Sequence, residues 1–259
     1  MLYSKEHINF LKKKKKEKFL ILLFQALIFI IFIAIWQILS NTNKINTFLT
    51  SSPSLIIKTI INLINNNNLF NHIFMTTYET IISFILSLLI GIVIASILWW
   101  NKFIFKVIDP YLTILNSLPK VALGPILIIW IGANTKSIIV MALLISSIIS
   151  IITIYNGFNN IDNNKIKLMK SFNASKWQIY TMLVLRGNIN TIINSLKINI
   201  SMCLIGVIMG ELLVSKEGIG YLIMYGSQVF NLNLVMTGIF LLSILSYILY
   251  FIISQLKKN

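Results

Sequence analysis

Two charged residues stand where charge is costly: Lys120 and Glu211 each interrupt a long apolar block. An ionisable group held in hydrocarbon needs a partner, a freed carbonyl or a water-filled path, so such residues are the first places to look for function. Two readings are open. In one, Lys120 attracts an anionic solute, and Glu211 pairs with it or gates the outer mouth of a pathway flanked by Asn116 and Pro119. In the other, Lys120 satisfies carbonyls freed by Pro119, while Glu211 sits near the outer interface of a bilayer. Catalytic chemistry is hard to assemble. His7, His72 and Cys203 are the only histidines and cysteine, too few for a nucleophilic triad, a His/Cys metal centre or an internal disulfide. The sequence also lacks a Gly-x-x-x-x-Gly-Lys-Ser/Thr loop for holding nucleotide phosphates.

A second group of residues suits docking. Asn159–Gly187 is too long for a simple turn, and it is basic. The stretch from Ile161 to Phe172 can form a short helix, with Lys165, Lys167 and Lys170 along it. Asn173 then tolerates the left-handed conformation that ends helices. Ser175 can cap a second helix over Lys176–Leu185, with Gln178 at the reciprocal capping-box position. That helix is expected to present Trp177, Ile179, Tyr180 and Leu183. Two short helices about a sharp bend form either a docking surface for a soluble partner or a pair resting on a membrane, anchored by Trp177 and Tyr180.

The elements that carry these residues are hydrophobic. The chain is 57% hydrophobic and 11% charged, with mean hydropathy +0.85, too apolar for a soluble domain of its length. A hydrocarbon core about 30 Å thick needs around 20 apolar residues of helix. Phe19–Leu39, Ile81–Trp100, Ser137–Phe158 and Leu232–Leu256 meet that test cleanly. Pro110–Ile131 meets it despite Pro119, Gly124 and Pro125, and Ile189–Val214 despite Lys197 and Glu211. Drawn generously, the six spans cover 19–39, 78–100, 107–131, 136–158, 189–214 and 232–256. All are expected to be helical, since lipid satisfies no backbone group. The prolines would kink the third span and need neighbours for repair, which places it inside the bundle.

The first apolar stretch exceeds a secretory h-region and ends in Ser-Asn-Thr-Asn without a small-x-small cleavage site, so it reads as a retained span. Ser51-Ser52-Pro53-Ser54 starts a further helix over Pro53–Leu69, too polar to cross and amphipathic through Leu55, Ile56, Ile60, Leu63 and Ile64. Net charge is +15, but no basic stripe is interleaved with stacking aromatics, so the charge does not indicate nucleic acid. It reads instead as topology. With a basic tail at 1–18 inside, the segment carrying Lys102 and Lys106 inside, the loop 159–187 inside and a tail at 257–259 inside, sixteen basic residues lie in cytoplasmic segments against four outside. Both termini are then cytoplasmic. Gly206 and Gly210, four apart, suit close helix approach; Gly218 and Gly220 suit a turn. Trp99, Trp100 and Trp130 suit interfacial anchoring.

The loop resembles the coupling loop of permease subunits from type I ABC importers, whose signature is Glu-Ala-Ala, three residues, Gly, and later Leu-Pro. Lys167-Leu168-Met169 stands at Glu-Ala-Ala, Asn173 at the glycine and Leu185-Arg186 at Leu-Pro. The resemblance extends over 51–256. Ser52-Pro53-Ser54 is similar to the family's Pro-Ser motif, and the run from Asn116 to Gly132 to its kinked third span. Asn173-Ala174-Ser175-Lys176-Trp177-Gln178 is similar to Gly-Ala-Ser-basic-Trp-Gln. Gly210-Glu211-Leu212 with Glu217-Gly-Ile-Gly-Tyr-Leu222 is similar to the end of the fifth span and its turn. Together they resemble the subgroup serving nitrate, sulfonate, taurine and pyrimidine-precursor importers.

The resemblance implies an all-α polytopic helix bundle of six spans with the type I importer permease fold. It implies a non-catalytic transport subunit in the cell membrane, binding no cofactor itself. The implied partners are two cytoplasmic ATPase subunits that use ATP and magnesium, a second permease copy, an extracytoplasmic solute-binding protein and the lipid bilayer. The coupling residues would be Lys167, Lys170, Phe172, Asn173, Ala174, Ser175, Lys176, Trp177, Ile179 and Tyr180. Other classes fit less well. An energy-coupling-factor component would carry Ala-Arg-Gly motifs, whereas Arg186 is the sole arginine. A secondary transporter or channel would be expected to show inverted repeats or more intramembrane carboxylates.

Overall fold

Among the residues described in the computed structural model, 5–66 and 68–255 with side chains from Phe10 onward, every regular element is helical. Lys257, Lys258, the end of the sixth span at Leu256 and the two chain ends lie outside them. The order is α1 Lys5–Asn41, α2 Thr47–Thr50, α3 Pro53–Asn65, α4 Leu69–Trp100, α5 Lys102–Ser117, α6 Gly124–Ile131 and α7 Thr135–Asn159. Then come α8 Asn163–Ser171, α9 Lys176–Gln178, α10 Ile189–Val214, α11 Ile219–Gln228 and α12 Leu232–Gln255. Five of these, α1, α4, α7, α10 and α12, are long and apolar enough to cross a membrane.

The core is the trio α4, α7 and α10, which pack against one another along their lengths. Small and polar residues make that contact. Thr76, Glu79, Thr80, Ser83, Ser87, Gly91 and Ala95 are buried along α4, while Phe74, Ile81, Ile85, Leu89 and Val93 point outward. In lipid this inversion is the expected one, because apolar side chains gain nothing from leaving hydrocarbon and small residues let helices approach. Gly206 is the clearest instance: a Cβ there would lie 2.5 Å from the Cα of Ala142 on α7. Its neighbour one turn on, Gly210, meets Ile138 in the same way. Midway along the seam, Asn199 on α10 accepts from the Ser87 hydroxyl at 2.9 Å and donates to Ser150 of α7, so polar groups from three helices satisfy one another.

Around this core α11 and α12 pack on α10, and α3 packs on α12. The polar helix after the first span begins as expected: Ser52 accepts from the Leu55 N–H at 3.3 Å, with Pro53 in the first turn. It stops at Asn65 rather than Leu69, and α4 begins at Leu69, twelve residues before Ile81. α1 touches the rest mainly through Gln37, whose amide accepts from the Ser54 N–H at 3.0 Å and donates to Ser54 Oγ at 3.2 Å. Its apolar side chains are otherwise exposed.

The third span departs from expectation. Instead of one kinked helix over Pro110–Ile131, α5 ends at Ser117 and a 3-10 turn spans Lys120–Leu123. α6 follows, and the two limbs bend by 87°. Proline explains the break: Leu118 is extended at ψ 139°, as the residue before a proline prefers, and Pro119 offers no N–H to continue the ladder. Nor is this segment interior to the chain, since Leu112 alone is buried in α5 and Gly124 and Leu127 in α6. Ile129 and Trp130 are almost fully exposed.

Candidate functional site

The expected hairpin after α7 forms, and its local chemistry is readable. Asp162 caps α8 by accepting from the Asn164 N–H at 2.8 Å. Asn173 adopts φ 56°, the left-handed conformation that reverses the chain. Ser175 and Gln178 close a reciprocal capping box: the Ser175 hydroxyl accepts from the Gln178 N–H at 3.2 Å, and Gln178 Oε1 from the Ser175 N–H at 2.7 Å.

The second helix differs from expectation. Only Lys176–Gln178 is α-helical, and Ile179–Leu185 winds as a π-helix. Burial also separates the residues expected on its surface. Phe172 (77% exposed) and Trp177 (62%) project outward, whereas Tyr180 is 7% exposed and Ile179 is buried with it. Tyr180 and Ile179 are therefore not presented at the surface. They anchor the hairpin.

That anchor is aromatic. The Tyr180 ring lies 5.4 Å from Trp99, 5.9 Å from Trp100, 5.7 Å from Trp177 and 6.2 Å from Phe158. Its hydroxyl is 2.5 Å from that of Ser96 on α4. Ser96 already gives its proton to the Ile92 carbonyl, so Tyr180 is the donor. Lys176 donates to the Trp100 carbonyl at 2.5 Å, and its ammonium sits 4.9 Å from the Trp100 ring. The loop is thus fixed to the end of α4 and to α7. Lys167, Lys170 and Ser175 remain exposed along it, and Ala174 is half-buried.

The opposite end of α4 holds a second constellation, of which sequence reasoning found Glu211 and the turn glycines Gly218 and Gly220 but not their partners on α4. α11 starts at Ile219 behind Gly218, which has φ 107° and no side chain to cap the helix. The orphan N–H groups of its first turn go to other helices. Gly218 N–H donates to His72 Nδ1 at 3.0 Å, Ile219 N–H to Thr76 Oγ1 at 2.8 Å and Gly220 N–H to Glu211 Oε2 at 2.5 Å. The Tyr221 N–H reaches the same carboxyl. Thr76 in turn donates to Glu211 Oε1 at 2.7 Å. Glycine is required at 218 twice over, because a Cβ there would collide with the Glu211 carboxyl. Glu79, one turn along α4 from Thr76, lies beside Glu211 and within reach of the Thr135 hydroxyl, and its Oε2 has no hydrogen-bond partner. Both carboxyl residues are 1% exposed.

Lys120 takes no part in this. Its ammonium donates to the Asn116 carbonyl at 3.3 Å, one of the groups freed by the break at Pro119. Of the two open readings, Lys120 follows the one in which it satisfies a carbonyl freed at Pro119; no ion pair with Glu211 forms, and Glu211 turns inward to cap α11. Asn116 and Pro119 are exposed beside Lys120, which is half-buried. A signal for the missed residues did exist. His72, Thr76, Glu79, Thr80, Ser83 and Ser87 follow helical spacing in a helix otherwise rich in Ile, Leu and Phe.

Comparison with known proteins decides the family. Residues 87–258 match the family described as binding-protein-dependent transport system inner membrane component. The chain belongs to that family. The permease is 28% identical over 226 residues to a probable ABC transporter permease protein of Haemophilus influenzae, covering 87% of this chain and 91% of that one. It is 26% identical over 233 residues to the formylaminopyrimidine transport permease protein of Halalkalibacterium halodurans, covering 90% and 92%. It is also similar to the taurine transport system permease protein of Escherichia coli, at 18% over 235 residues and 88% and 85% coverage. In fold, it superposes on a chain of the MetNI methionine ABC transporter in an inward-facing form. The TM-score is 0.64 at 19% identity, over 71% of this chain and 91% of that one. The all-α architecture is therefore that of type I ABC importer permeases. The protein is a multi-pass inner membrane permease component.

Proposed function

We propose that this permease carries a small solute of the sulfonate, nitrate, taurine or pyrimidine-precursor kind inward. Its motion would be driven by two ATPase subunits that dock on the Asn163–Leu185 hairpin. The observation that carries the proposal is the division of labour within the hairpin. Phe172 and Trp177 are outward, while Ile179 and Tyr180 are clamped to α4 and α7. An apolar surface of that kind, with Lys167, Lys170 and Lys176 around it, suits the cleft of a soluble partner. Asn173, Ala174 and Ser175 set the bend that holds the two faces apart. Because the hairpin is fixed at its root, a push on Trp177 displaces the ends of α4 and α7 rather than folding the loop.

Within this reading the hairpin faces the cytoplasm, as do both termini, which agrees with the excess of lysine in those segments. A solute-binding protein delivers cargo on the other side, where Glu211 holds α11. A second copy packs against the broken third span and completes the pathway past Asn116, Pro119 and Lys120, whose ammonium favours an anion. ATP and magnesium stay on the partner ATPases. Alternation between inward- and outward-facing states is a two-state change biased by ligands at both ends.

Replacement of Trp177 by Glu tests the docking assignment. The variant is expected to lose copurification with its ATPase and to abolish solute-stimulated ATP hydrolysis, while membrane insertion is retained. Undiminished copurification and stimulation would remove the assignment.

A further inference from the structure

A hollow of about 650 Å³ opens between the bend joining α4 to α5 and the inner side of the hairpin. It is large enough for a small-molecule site, and it shares only Lys170, Ala174, Lys176 and Ile179 with the coupling residues used in the transport reading. Its lining is one-sided in charge: Lys102, Lys170 and Lys176 contribute to it, and no carboxylate does. Lys176 is held by the Trp100 carbonyl and ring. Lys102 and Lys170 have no ion-pair partner among the described residues. Asn163 also lines the hollow, beside the Asp162 carboxylate that caps α8, and Asn101 on the same wall caps the start of α5, so the positive charge of the site comes from its lysines and not from free helix ends.

Three exposed ammonium groups about one cavity set up a positive field that concentrates anions there. Trp99 and Trp100, on the same wall, are at the end of the membrane-spanning α4, the level at which amphipathic rings meet lipid headgroups. Basic pockets between spans at this level suit anionic headgroups.

We propose that this hollow binds a phosphate-bearing anion, supplied as the headgroup of an acidic phospholipid that seats the root of the hairpin against the bilayer. The inference requires that α4 spans the membrane. The hollow shares Lys170 and Lys176 with the proposed docking surface, but lipid binding is read without the ATPase and does not depend on the identity of the cargo.

The test uses the full chain in nanodiscs of phosphatidylcholine doped with brominated phosphatidylglycerol, or with brominated phosphatidylcholine as control. Tryptophan quenching is the readout. Residues that merely face lipid, such as Trp130, quench equally in both discs. A filled hollow adds quenching at Trp99 and Trp100 that saturates at low phosphatidylglycerol. The double replacement Lys102→Gln and Lys170→Gln is expected to weaken the acidic-lipid preference about thirty-fold, the loss expected for two lysines near an anionic surface. Lys102→Arg with Lys170→Arg is expected to keep it, which separates charge from folding. Equal quenching by the two lipids in the parent chain, or an unchanged preference in the glutamine pair, would overturn the site. If millimolar inorganic phosphate abolishes the preference, the anion is a free phosphate and the lipid assignment fails.

Discussion

Glu211 can be tested against its own structure, because two substitutions there separate charge from hydrogen bonding. In Glu211→Ala the Gly220 N–H loses its acceptor in a site that is 1% exposed. An orphaned buried donor costs about 1–3 kcal/mol. The Thr76 hydroxyl is spared, since it can donate wholly to the His72 carbonyl, 3.2 Å away. Truncating a buried side chain adds a cavity cost, which brings the expected loss to about 3–5 kcal/mol. Glu211→Gln behaves differently. Its carbonyl can face the Gly220 N–H, and its amide can donate to Thr76 Oγ1 and to the Glu79 Oε2 that otherwise has no partner. The expected change is within about 1 kcal/mol of the parent. Unfolding of the purified permease in mixed micelles, followed by tryptophan fluorescence, measures both. Alanine and glutamine variants of equal stability would refute the assignment of Glu211 as the cap of α11, whichever way both moved.

Other perturbations have definite expectations. Gly206→Leu forces α10 from α7, because the obstructing atom is backbone of Ala142 rather than a flexible tip. A loss of about 1–3 kcal/mol or more is expected in the same unfolding assay. Tyr180→Phe removes one buried hydrogen bond while leaving the Ser96 proton on Ile92. It should cost about 0.5–1.5 kcal/mol and reduce ATPase stimulation more than ATPase binding, measured by comparing copurification with hydrolysis rate. Asn173→Val places a β-branched residue at φ 56° and should cost about 1–2 kcal/mol, with Asn173→Gly near neutral by the same measurement.

The parts of the fold legible in the sequence were those with local causes. Spans followed from apolar length, the capping box from Ser175 and Gln178, the chain reversal from Asn173. What escaped depended on partners remote in sequence. Pattern rules made for water bury the apolar face, but α4 buries Thr76, Glu79, Ser83 and Ser87 and shows its Ile and Phe to lipid. Total hydropathy therefore located the span and concealed its packing face. The broken third span was half legible: Pro119 marked the position, yet kink and break differ by whether neighbours restore the ladder, which no local pattern states. Tyr180 was misplaced for a related reason. Its partners Ser96, Trp99, Trp100 and Phe158 lie far away in the chain, and nothing local to Lys176–Leu185 marks the face they cover.

The two constellations share one helix, and that bears on how coupling would work. Thr76 and Ser96 are twenty residues apart on α4, about 30 Å at helical rise, close to the thickness of the hydrocarbon core. At one end Ser96 accepts a hydrogen bond from Tyr180 of the hairpin; at the other Thr76 and Glu211 hold the start of α11. Between them the helix has no proline, and Ser87 is bonded to Asn199 on α10. A rod so fixed cannot absorb a displacement at Tyr180 by bending locally, so movement of the hairpin must shift α4 against α10 or break the polar seam. Cysteine pairs joining α4 to α10 near the middle should therefore abolish transport while leaving ATPase binding intact. Transport that survived such a cross-link would mean the stroke travels by another helix.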